Sequence, residues 1–194
     1  MKNTALICVC VLLLALNANA ESTITGIESA TSYILSCQNG DGGFSDSPNG
    51  ASNFKATTNA AMALAWSDNL SRADKGDVLS YLEKNKPENG SIDGGNLGRY
   101  VLGVVAAGGN PRNVGGTDYV EMLKYLAVQP HGGNHWQEAY MCLGLISIGE
   151  SGSKEAQDLA SYLKSIQVDS GAWVDVDGTG IAICTLIGAG EDPN

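Results

Sequence analysis

The chain has 194 residues, 43% of them hydrophobic and 16% charged, a balance that supports a packed core and excludes wholesale disorder or a low-complexity fibre. Acidic residues outnumber basic ones 21 to 11, and no basic run occurs that could hold a polyanion by counterion release, so nucleic acid is excluded as a partner. Glycine, at 25 residues, recurs at regular places and therefore punctuates short elements.

In chain order, the first segment reads as a secretory signal peptide. Lys2 precedes an apolar run over residues 5–16, and Asn17, Ala18, Asn19 and Ala20 then form a small-residue cleavage site before Glu21. The run is too short to cross a bilayer as a helix, and cleavage is expected after Ala20. Cys8 and Cys10 lie inside this leader. The mature domain is then 21–194, secreted or held at the cell surface, with no transmembrane span.

A repeat comes next. Tyr33, Tyr81, Tyr125 and Tyr162 each sit in an amphipathic helical stretch, at spacings of 48, 44 and 37 residues. After each comes a Gly-rich loop (38–44, 89–95, 129–136, 167–173), and then an apolar run rich in small residues (58–66, 97–107, 136–148, 179–189). The unit is helix, loop, helix, four times over. The amphipathic helix of each pair belongs outside and the apolar one inside, because only stacking covers their greasy faces. Ser71 with Asp74 has the form of a capping box, and the run from Gly108 to Pro111 is a stop signal.

Cys37, Cys142 and Cys184 are an odd set at wide spacing, which reads as buried thiols and not as a disulfide framework. His131 and His135, with Glu138 three residues on, read as solvated loop residues. Asp41, Asp46 and Asn49 read as a solvated acidic loop, since their spacing is not that of an EF-hand. No metal and no cofactor is expected. Asn69 and Asn89 each open a glycosylation sequon.

The Gln-x-x-Asp-Gly-Gly-Phe run at 38–44 and the Gln-to-Trp loops at 129–136 and 167–173 resemble the repeats of the squalene cyclase and protein prenyltransferase α/α-toroid superfamily. The resemblance implies an all-α fold, an inner ring of helices inside an outer ring. Four hairpins make a partial toroid, incomplete at its C-terminus or completed by self-association. It also implies that Gln129, Gln167, Trp136 and Trp173 tie loops to the outer layer, although aromatic and amide groups together could also form a sugar platform. The family's zinc-site step and the thioester run of its complement-like relatives are both missing.

Asp175, Asp177, Gly178 and Thr179 resemble the Asp-x-Asp-Asp-Thr motif with which cyclases protonate an alkene, with Asp177 aligned to the proton donor and Gly178 replacing the last Asp. The other reading is that Asp175 or Asp177 caps the helix after it. The function expected is a non-catalytic binding or interaction module for a small molecule, glycan or protein. Its face is the end of the molecule where inner helices begin, around Asn59, Asp93, Arg99, Trp136, Glu138, Tyr140 and Thr179. The alternative is a terpenoid-cyclase-like isomerase using Asp177 as general acid with Asp175 in support.

Overall fold

Among the described residues, eight α-helices run in the order that the repeat predicts: α1 (Ala20–Ser36), α2 (Phe54–Trp66), α3 (Lys75–Lys84), α4 (Gly94–Ala106), α5 (Tyr119–Ala127), α6 (His135–Ser147), α7 (Lys154–Ser165) and α8 (Val176–Gly188). A short 3-10 turn, Leu70–Arg72, lies between α2 and α3. The structure, a computed structural model, describes residues 20–73, 75–87, 92–132 and 134–192. Among these residues only isolated β-bridges accompany the helices, and no helix is long and apolar enough to cross a membrane. The expected leader up to Asn19, the Asp74 half of the capping box and the Asn89 sequon lie outside the described residues.

Polar residues set the helix starts by satisfying N–H groups that have no partner within the helix. Asn53 accepts from the Ala56 N–H, Asp118 from Val120 and Glu121, Asn134 from Trp136, Ser153 from Ala156 and Asp175 from Gly178. The inner helices α2, α4, α6 and α8 all stop on one device, a residue in the left-handed region just past the end. It is Asp68 (φ 57°) after α2 and Gly108, Gly149 and Gly190 (φ 82–92°) after the others. In each case the next residue's N–H reaches back to a carbonyl in the last turn, as Asn69 does to Leu64 and Glu150 to Leu145.

The chain divides into two units. One holds α1, α2, α3 and the end of α4 (Gly103–Asn110). There α2 packs on α3, with Leu64, Val78 and Leu82 buried between them. The loop before α2 is fixed by Phe44, which is buried and whose N–H donates to Thr57 Oγ1 at 2.9 Å, while the Thr57 hydroxyl donates to the Asn53 carbonyl at 2.8 Å.

The other unit holds the start of α4 (Pro87–Leu102) and α5 to α8. Its centre is α6, which packs on α5, α7 and α8 and buries Met141, Cys142, Leu143, Leu145 and Ile146. Buried Trp173 is fastened by its indole N–H to the Leu163 carbonyl of α7 at 2.7 Å, and its backbone N–H donates to Thr179 Oγ1 at 3.0 Å. Thus Thr57 and Thr179 hold equivalent loops in the first and last hairpins. Helix α8 differs from the expectation for an inner helix: Gly178, Ala182 and Thr185 are buried, but Ile181, Ile183, Leu186 and Ile187 are half-exposed.

The thiols obey the packing. Cys37 and Cys142 are buried and Cys184 is half-buried. Cys142 donates to the Ala156 carbonyl at 3.4 Å, and burial pushes its pKa up to about 12. A thiol held protonated is a poor nucleophile. Iodoacetamide at mildly alkaline pH is therefore expected to leave Cys142 unmodified in the folded chain and to modify it once the chain is unfolded, as read by peptide mass spectrometry.

Candidate functional site at the inner-helix mouth

The site is built on a close approach of two backbones. A Cβ placed on Gly98 of α4 would lie 2.1 Å from the Tyr140 carbonyl oxygen of α6, and one on Gly144 would lie 3.2 Å from Gly98 Cα. Only glycine allows this, and it brings the next residue, Arg99, over the Tyr140 ring at 4.1 Å from guanidinium carbon to ring centroid. One turn earlier on α6, Trp136 stacks beside Tyr140, with ring centroids 6.2 Å apart and planes 20° apart. Arg99, Tyr140 and Trp136 are all half-exposed and follow one another in a row of stacked side chains.

Asp93 accepts from the Asn96 N–H at 2.8 Å and from its side-chain amide at 2.7 Å, fixing the start of α4. The Thr179 hydroxyl donates to the Asp175 carbonyl at 2.7 Å. Asn59 is exposed on α2, in the unit that holds α1, α2 and α3. Asp175 is the cap of α8, accepting from the Gly178 N–H at 2.6 Å, and Asp177 is exposed in the first turn. A side chain at 178 has no room: its Cβ would lie 2.2 Å from His135 Nε2 and 2.7 Å from the Trp173 carbonyl oxygen. Loss of the cap in Asp175→Ala is expected to cost about 1 kcal/mol in urea unfolding, and Asp177→Asn less than about 0.5 kcal/mol.

Glu138 points away from this row. It is 1% exposed, neither carboxylate oxygen accepts a hydrogen bond, and His131 Nδ1 lies 3.5 Å from Oε1. Counted from the helix caps, Glu138 stands four residues after Asn134, the place that Thr57 holds after Asn53 and Thr179 after Asp175. The hydroxyl that ties the loop in two other hairpins is here a buried carboxylate. This corrects the reading of the histidines as solvated. His135 is 8% exposed, and His131 is half-buried, its ring stacked on Tyr162 of α7 at 4.2 Å. The reason is packing: His131 lies on the Tyr162 ring, and His135 lies against Gly178 at the start of α8. Alignment of the three caps would have exposed the place of Glu138 in the sequence.

Among the described residues no group of three or more His, Cys, Asp or Glu could hold a metal ion. The first loop uses its acids internally: Asp41 accepts from the Gly43 N–H and the Ser52 hydroxyl, and Asp46 accepts from the Asn53 amide. Gln129 and Gln167 donate to the Tyr125 and Gly171 carbonyls, so with Trp173 they hold loops in place.

No curated protein matches the sequence. The family model for the prenyltransferase alpha-alpha toroid domain matches residues 3–101, a span that takes in the first hairpin, the second up to the middle of α4, and the apolar run 5–16. Half of the chain is matched and the same helix, loop, helix unit continues through α8, so the chain belongs to the prenyltransferase alpha-alpha toroid family.

Proposed function

We propose that the chain is an exported, non-catalytic binding module, and that its ligand-facing surface is the row Arg99, Tyr140 and Trp136 at the mouth of the inner helices. The observation that carries this reading is the pair of acids on α8: one is occupied as a cap and the other, Asp177, is exposed in water. Protonating an alkene needs a neutral carboxyl enclosed by a dry wall, because solvation keeps a carboxyl ionised at neutral pH. A half-buried cation on an aromatic face suits a binding surface, since the ring fixes the guanidinium in place in a row with two half-exposed aromatic groups. Export is supported by the leader sequence. Incubation of the purified chain with squalene, with gas chromatography and mass spectrometry of the extract, tests the reading. No cyclised product is expected; a product that forms with the wild type and is lost in Asp177→Asn would establish the isomerase instead.

A further inference from the structure

One motif of the sequence serves neither the helix packing nor the proposed row. Asn69, Leu70 and Ser71 have the form of an N-glycosylation acceptor, an asparagine two residues before a serine with a residue other than proline between them. They lie in the link from α2 to α3, where the chain leaves the left-handed residue Asp68 (φ 57°) and enters the 3-10 turn Leu70–Arg72. The Asn69 N–H donates to the Leu64 carbonyl at 2.8 Å, and the Asn69 carbonyl accepts from the Arg72 N–H at 3.0 Å, so the turn is tied to the end of α2 and closed on itself. Its middle residue, Leu70, is buried in the core, whereas Ser71 and Arg72 are exposed, as is Asp68 on the other side, and Asn69 is half-exposed. The asparagine and the serine of the acceptor therefore reach water while the residue between them anchors the turn. The Asn69 side chain does not cap that turn: its Nδ2 donates to the Ser67 carbonyl at 2.8 Å, and its Oδ1 accepts from Arg72 Nη1 at 3.3 Å.

We propose that Asn69 is a site of N-linked glycosylation, taking an oligosaccharide from a polyprenyl diphosphate carrier. In the transfer a bond forms between Asn69 Nδ2 and the anomeric carbon of the sugar, the bond from that carbon to the diphosphate oxygen breaks, polyprenyl diphosphate leaves with the electron pair, and Nδ2 gives up one proton. The step is a substitution and needs no oxidant or reductant. A primary amide nitrogen carries two protons, so one stays on Nδ2 to donate after the sugar is attached. With Asp68, Ser71 and Arg72 in water around it, the sugar stands in solvent and displaces no core residue. The inference rests on the export in the proposed function, since the carrier-linked sugar is met in the secretory pathway.

The test uses the full chain with its own leader, produced in cultured animal cells, with medium and cells collected separately. Peptides are treated with peptide N-glycosidase in heavy-oxygen water, which marks each asparagine that carried a sugar, and are read by mass spectrometry. The chain from the medium is expected to be marked at Asn69. Ser71→Ala is expected to lose the mark although it leaves the Asn69 side chain and its hydrogen bonds in place, Ser71→Thr to keep it, and Asn69→Gln to lower the intact mass by one glycan. A chain in the medium with Asn69 unmarked overturns this proposal and leaves export standing, whereas an unmarked chain kept in the cells overturns export and this proposal with it. A mark that persists in Ser71→Ala also overturns it, because the modification would then not follow the acceptor motif. If Ser71→Ala fails to reach the medium, the wild-type mark and its retention in Ser71→Thr decide.

Discussion

His131→Ala is expected to destabilise the fold by about 1 to 3 kcal/mol, the cost of leaving a buried polar group without its neighbour. The replacement would strand the Glu138 carboxylate, 1% exposed and without a hydrogen-bond donor, and would remove the ring that stacks on Tyr162. The pair is asymmetric, however. His131 keeps 22% of its side chain in contact with solvent, whereas Glu138 keeps 1%. Glu138→Gln therefore strands no charge, keeps nearly the same volume, and is expected to leave stability unchanged or raise it by about 1 kcal/mol. Urea unfolding of both variants distinguishes the two roles. Equal losses in the two would mean that Glu138 is a well-partnered carboxylate.

Gly98→Ala is the second large effect. Its Cβ would meet the Tyr140 carbonyl carbon at 2.4 Å and oxygen at 2.1 Å, and these are backbone atoms that cannot turn aside. Helices α4 and α6 would have to separate, at a cost of about 2 to 3 kcal/mol, the upper part of the range for overpacking. Gly180 in α8 is the control, since a Cβ there meets nothing within 4 Å. Gly180→Ala is expected to stabilise by up to about 1 kcal/mol through helix propensity alone. A Gly98→Ala variant as stable as the wild type in urea unfolding would show that the two inner helices do not lie in contact. Because Arg99 reaches Tyr140 only across that contact, the proposed binding row would fall with it.

The four hairpins are legible in the sequence because their signals are local. Cap residues, the glycines after α4, α6 and α8, and the contrast between amphipathic and apolar helices can each be read within one turn or one loop. The end of α2 is harder, since Asp68 takes the left-handed place that glycine holds in the other three. Of the expected site, Arg99, Tyr140 and Trp136 come together, and they do so because Gly98 removes a side chain from between two helices, a long-range fact that no periodicity carries. Glu138 stands out in the sequence, and its place follows from the aligned caps, but its partner does not. On α6 it lies half a turn from Trp136 and Tyr140, and its meeting with His131 depends on the course of a Gly-rich loop. The half-exposed face of α8 is likewise hidden, because an apolar helix reads the same whether or not a neighbour covers it.

Asp177 is central to the proposed function, as a solvated carboxylate at the start of a capped helix on a protein that holds a ligand without converting it. Carboxyl footprinting of the folded chain with a water-soluble carbodiimide and an amine, read by peptide mass spectrometry, tests this most directly, with Glu138 as the internal standard for a buried acid. Rapid labelling of Asp177 beside a protected Glu138 is predicted. Protection of Asp177 equal to that of Glu138 would place it in a closed wall, contradict the proposal and restore the general-acid reading.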